Sequence, residues 1–269
     1  MTGATPQGEH DDGRPKASTD ARRGTANTAA DMTQPPDPLI ASRRIRRRLA
    51  SIEAAAIAGI VCAVGWGIAL HGLLEVPGIG ASDAEINEYY ADTSNGNAAI
   101  VWLQILVVST VAFLWFVGVV RGRLGDREPR LFGTVYLGSS VLLAALLFVG
   151  AALLAAPSVL LAVGHRTPDP AAVSVMRASA AVVLSVFAPR VATLVMFSTA
   201  GLGRATGALP RWLVVLTYVI GVLAFVNVSI ATPTVYVVPA WIALVSIVLL
   251  TRRPPQGFDL DPESEQAAA

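Results

Sequence analysis

The chain has 269 residues, 54% of them hydrophobic and only 14% charged, with a formal net charge of +1. Soluble domains carry about 25% charged residues, so this composition and its long apolar runs place the chain among integral membrane proteins. A balance so near neutrality excludes bulk electrostatic attraction to nucleic acid, and a single cysteine, Cys62, excludes an intramolecular disulfide or a thiolate metal cluster.

Residues 1–42 are rich in Gly, Pro, Thr, Ala, Asp and Arg and poor in large apolar side chains. Such a segment buries too little surface to offset its ordering entropy, which predicts a disordered tail. The block ASRRIRRR follows, with Arg43, Arg44, Arg46, Arg47 and Arg48. The apolar stretch behind it, Leu49 to Val76, is longer than the 7–15 residues of a signal-peptide core and is followed by no clear cleavage site. The block is therefore expected to anchor a transmembrane helix on the cytoplasmic side.

Six apolar segments approach the roughly 20 residues that a span needs: 50–75, 98–120, 131–157, 171–200, 211–231 and 234–250. Little more than Thr232-Pro233 separates the last two, and Pro233 and Pro239 predict a tight turn followed by a kinked helix. The alternative is a hairpin over 211–250 that enters from the cytoplasm and returns without crossing.

Loop charges set the orientation. The 78–97 loop holds Asp83, Glu85, Glu88 and Asp92 with no Lys or Arg. The next connection holds Arg121, Arg123, Arg127 and Arg130; the 158–170 loop holds Arg166 alone; the 201–211 loop holds Arg204 and Arg211; and the last flank holds Arg252 and Arg253. This alternation is the positive-inside pattern for six spans with both termini cytoplasmic. The expected organisation is a cytoplasmic tail with its basic anchor (1–48), an all-α bundle of six transmembrane helices (49–251) in the cell membrane, and a disordered cytoplasmic tail (252–269).

The fourth span carries the least comfortable residues, in SVFAPRVATLVM. Arg190 lies within a turn of the span's middle, where an arginine costs about 2.5–3.5 kcal/mol on insertion scales. Its side chain points toward the helix N-terminus, away from the cytoplasmic boundary. Arg177, nearer the outer end, can reach the interface. Pro189 removes the N–H that would serve the Ser185 carbonyl, and a guanidinium has donors to spare for such carbonyls. Two readings stand level: a structural arginine tying a kinked helix to its neighbours, and a site for an anionic solute or lipid headgroup. The spans hold no central Asp or Glu. The polar companions nearest mid-membrane are Ser109 and Thr110 on the second span and Ser139 and Ser140 on the third, with Gln104 and Asn227 toward the outer side. The lack of an intramembrane carboxylate relay argues against a proton-coupled transporter.

On the first span, Ala55, Gly59, Ala63 and Gly67 repeat every four residues, and His71 continues the ridge, a face suited to close helix packing. Trp102, Trp115, Trp212 and Trp241 fall toward span ends and suggest an aromatic belt, which Trp66, lying deeper, fits less well. EINEYYAD predicts a short amphipathic helix that rests Ile86, Tyr89 and Tyr90 on the membrane, with Asp83, Glu85 and Asp92 toward water.

YYAD, FLWFVGVVRGRLG and TGALPRWL together resemble a family of uncharacterised small multi-pass membrane proteins of actinobacteria, over most of residues 49–253. That resemblance implies a helical bundle in the plasma membrane and carries over no catalytic residue. No nucleophile–base set or phosphate-binding glycine motif stands in the sequence, and no metal or cofactor is expected. The expected activity is binding of a small anionic solute or lipid within the bundle, with or without transport. Arg190, Ser109, Thr110, Ser139 and Ser140 are the candidate ligand-binding residues. The alternative is an accessory subunit that docks on a membrane-protein partner through the ridge of the first span. Membrane lipids are the expected surroundings, and no nucleic-acid partner is expected.

Overall fold

The computed structural model describes residues 38–124, 130–207, 209–227 and 235–251. The expected disordered tails up to residue 37 and from residue 252, the Arg252–Arg253 flank, Arg127 and the Thr232-Pro233 turn lie outside the described residues, as do the side chains of Arg43–Arg48. The chain divides into two compact units, Met1–Arg48 and Leu49–Ala269. Of the first, the backbone from Pro38 onward is helical.

The helices are α1 (Pro38–Leu74), α2 (Asp83–Ala91), α3 (Thr93–Leu124), α4 (Arg130–Gly164), α5 (Pro170–Val182), α6 (Ala188–Thr206), α7 (Arg211–Val226) and α8 (Val237–Thr251). A π-helical turn, Val183–Phe187, joins α5 to α6 without a break. No strand occurs among the described residues. Four stretches are long and apolar enough to cross a membrane: Ala56–Leu74, Thr93–Arg121, Gly133–Gly164 and Pro170–Ala205. α7 and α8, with 16 and 15 residues, rise about 24 and 22 Å and are shorter than a hydrocarbon core of about 30 Å.

Local chemistry explains most of the boundaries. Ser82 and Glu85 form a reciprocal capping box at the start of α2. Asp169 accepts from the Ala171 N–H, and Pro170 takes the first position of α5, where its missing N–H costs nothing. α6 ends at Gly207, whose φ of 68° is the left-handed conformation open to glycine. Two expectations are corrected. The third apolar segment, expected over 131–157, is a helix that runs on through Pro157 to Gly164; neighbouring helices can compensate a proline inside a bundle. Pro239 falls in the first turn of α8, where no helical hydrogen bond is lost and no kink is needed.

α3 packs against α4, α4 against α5 and α6, and α6 against α7. α1 meets α3 where Gly65 faces Ser109 and Gly72 faces Trp102, and it meets α8 where Gly59 faces Ser246. The core is built around Trp66, Phe113, Phe116, Tyr136, Met196 and Trp241. Trp66 and Phe113 pack with ring centroids 4.8 Å apart, and the Trp66 indole donates to the Thr110 hydroxyl at 3.0 Å. The outer faces are apolar as well, with Val64, Val108, Val149, Val163 and Leu223 exposed. Large contiguous apolar surface of this kind needs a covering, and together with the four long apolar helices it fits a membrane protein.

Two further expectations change. Trp115 and Trp212 are exposed as a belt requires, but Trp241 is buried and donates to Thr217 at 3.1 Å. α2 is amphipathic as expected, yet Ile86 and Tyr90 pack against Val76, Leu161 and Val173 of the chain itself. Its apolar face covers protein, because the adjoining helix ends present an apolar surface of their own.

Candidate functional site

Arg190 stands in the first turn of α6, directly after Pro189 and the π-helical turn. In that turn the Ala188 N–H reaches back five residues to the Val183 carbonyl. The widened turn absorbs the register change that Pro189 imposes, so the helix continues. Arg190 is half-buried. Its Nη1 donates to the Val186 carbonyl at 2.6 Å, and Nη2 makes a long contact of 3.5 Å to the Asn227 carbonyl. The carbonyl it serves is thus Val186 rather than Ser185, because a side chain directed toward the helix N-terminus falls naturally on the carbonyl four residues back.

Asn227 caps the C-terminal end of α7, where helix carbonyls lack partners and carry the negative end of the macrodipole. Arg190 therefore places a cation at the end of a helix 37 residues further along the chain. One turn below, Thr193 joins the same two helices through the carbonyls of Pro189 and Gly221, at 3.0 and 3.1 Å. Beside this junction opens a cleft of about 510 Å³, walled by Pro189, Ile220, Leu223, Val237 and Asn227. Its lining is apolar except near Asn227. Arg190 is not one of the lining residues, but it contacts Asn227, which is, and follows Pro189, which is; a cation so close to an apolar cleft suits an amphiphile with an anionic head.

The four hydroxyls expected near Arg190 each bond a carbonyl of their own helix. Ser109 and Thr110 on α3 donate to the carbonyls of Ile105 and Leu106 at 2.6 and 2.7 Å. Ser139 donates to Val135 and Ser140 to Tyr136, both at 2.7 Å. Thr110 also holds Trp66, and Ser109 fills the notch at Gly65. Among the described residues no hydrogen bond joins any of the four to Arg190, and no group of three or more metal-ligating side chains occurs.

The ridge on α1 divides in two. Gly59 is covered by Ser246 and Phe116 of the same chain, whereas Gly67 has open space beside it. His71, at the exposed end, lies 3.7 Å from Glu75 on the surface, an arrangement of little energetic weight. Arg177 does not simply extend to the interface. It is half-buried, and its Nη2 reaches the Leu74 carbonyl at the end of α1 at 3.4 Å.

The backbone carbonyl of Asn227 and the surroundings of Arg177 are what sequence reasoning missed. Asn227 was visible only as a polar side chain, and a backbone acceptor leaves no mark in residue identity. No protein-family model, no curated protein and no solved structure matches this chain.

Proposed function

We propose that this chain is a plasma-membrane protein of six spans, with both termini in the cytoplasm, that binds an anionic amphiphile or small anion at the Arg190 junction. The carrying observation is a half-buried guanidinium that leans on two backbone carbonyls beside an apolar cleft, with no carboxylate paired to it among the described residues. A guanidinium has five N–H donors, and these contacts use two of its nitrogens. The alternation of basic and acidic loops supports the topology. The resemblance to small actinobacterial multi-pass proteins agrees with this setting.

Thermal stability in mild detergent, for wild type and Arg190→Gln across a panel of anions and anionic lipids, tests the binding. An anion or lipid that stabilises wild type and not Arg190→Gln supports it; a panel in which none does so rejects it, and Arg190 is then a pin for the π-turn. Transport follows only if the stabilising anion also accumulates in vesicles. Impermeant thiol reagents should label single cysteines placed in the 78–97 loop from outside the cell, and should not label those placed at 125–129.

The second reading, an accessory subunit, is favoured by the open notch at Gly67 between exposed Val64 and Ile68. A stable membrane-protein partner that is lost in Gly67→Ile would support it.

A further inference from the structure

Beneath α2 the chain gathers three polar groups that the Arg190 junction does not use. Tyr90, on the inner face of α2, is 2% exposed, Ser158 on α4 is fully buried, and Arg177 on α5 is half-buried. A small apolar cluster of Val76, Ile86, Tyr90, Leu161 and Val173 holds them together. Ser158 precedes Leu161 by three residues and Arg177 follows Val173 by four. Helical periodicity therefore sets each on the face of its cluster neighbour, one turn further into the bundle. α3 closes the wall so tightly that a Cβ at Gly96 would stand 2.9 Å from the Ser158 carbonyl.

Tyr90 Oη, Ser158 Oγ and Arg177 Nη1 are all buried and have no hydrogen-bond partner among the described residues. The Ser158 hydroxyl lies beside the Tyr90 phenol and the Arg177 charge acts on that phenol too, but no hydrogen bond of good geometry joins the two hydroxyls. Native proteins rarely leave such groups unmet. All three can donate, and the guanidinium can only donate, so the set calls for an acceptor. Among the described residues no carboxylate pairs with Arg177. An anionic acceptor would satisfy the charge as well as the donors, which a water would not.

We propose that Tyr90, Ser158 and Arg177 form a second binding site, under α2, for a phosphate-type oxyanion. The oxyanion is either free phosphate or the phosphate of a lipid headgroup; the site lies near the ends of α1, α4 and the start of α5, where headgroups gather. It is independent of the reading at Arg190, which stands on α6.

The test uses the full chain in mild detergent with chloride as the only other anion. Thermal stability is followed against inorganic phosphate in one arm and against phosphatidylglycerol in the other. At least one should raise the unfolding midpoint. Tyr90→Phe and Ser158→Ala each delete only a hydroxyl; both should fold and bind the effective ligand about tenfold more weakly, equivalent to about 1.4 kcal/mol. Arg190→Gln removes the guanidinium of the other site, so the part of the response that survives in it and is lost in the hydroxyl variants belongs to the site under α2. A response to phosphate identifies a free oxyanion, and a response to the lipid alone identifies a headgroup. No response in wild type, or an undiminished response in both hydroxyl variants, overturns the proposal and leaves the three groups to buried water.

Discussion

Arg190 Nη1 donates to the Val186 carbonyl at 2.6 Å while Nη2 leans on the Asn227 carbonyl at 3.5 Å. One side chain thus ties the turn before Pro189 to the end of α7. Hydrogen bonds to a charged group contribute about 1.5–3 kcal/mol, and the arginine costs about 2.5–3.5 kcal/mol to place in a membrane. These terms nearly cancel. Arg190→Met should therefore stay within roughly 1 kcal/mol of wild type in ligand-free detergent unfolding, because it removes both. Arg190→Lys should be the worse variant, since it keeps a charge and loses the planar fork that reaches two carbonyls.

The Trp66 indole and the Thr110 hydroxyl form a buried bond between α1 and α3. Thr110→Val keeps the shape of the side chain and orphans the indole N–H. The expected loss is about 1–3 kcal/mol. Combining Thr110→Val with Trp66→Phe should cost less than the sum of the two single changes, as a double-mutant cycle of unfolding free energies would show.

Gly96 is a close approach with no slack, because the atom opposing it is the backbone carbonyl of Ser158. Gly96→Ala must push α3 away from α4 and should destabilise by about 1–3 kcal/mol. Gly67→Ala, on the same type of helix but with open space, should not, since it also gains helix propensity. Parallel melting curves of the two variants would separate steric from propensity effects.

Burial holds the Tyr90 phenol above its ordinary 10.0, with Ser158 and Arg177 pulling the other way and Tyr89 adding to the rise. Tyr89 is raised too, first by burial and then by the Glu75 carboxylate. A raised acid favours the neutral form in the fold. Its stabilisation is fully present below the ordinary phenol pKa and is lost as pH climbs through the raised value. Hydrogen exchange in α2 should therefore accelerate above about pH 10 beyond the intrinsic base catalysis measured in unfolded peptides. Tyr90→Phe should remove part of that excess and leave the Tyr89 share.

Cys62 is fully buried on α1. Burial makes a thiol inert, so a maleimide should fail to label the folded protein and should label it fully after denaturation. Rapid labelling under native conditions would contradict the packing of α1 against its neighbours.

The helical class, with helices long and apolar enough to cross a membrane, was legible because hydropathy is local: twenty apolar residues in a row carry that message without knowledge of their neighbours. The oddity of Arg190 was legible for the same reason, as was the direction of its side chain, which follows from the Cβ geometry of any helix. The end of the third segment at 157 was set too early, and the turn before Pro189 was half-seen. Whether a proline ends a helix depends on what neighbouring helices can repair, and a π-turn has no residue signature.

Sequence by itself determined the apolar helices, the alternation of loop charge, the caps at Ser82 and Asp169 and the presence of one misplaced cation, since each is settled within a few residues of chain. Only the tertiary structure decided which groups meet. It set Arg190 on the Asn227 carbonyl and gave Ser109, Thr110, Ser139 and Ser140 carbonyl partners within their own helices. It also turned Tyr90 inward to Ser158 and Arg177. Helix rotation and register are fixed by packing between segments far apart in sequence, and hydropathy, which is the same on every side of a helix facing lipid or protein, cannot encode them.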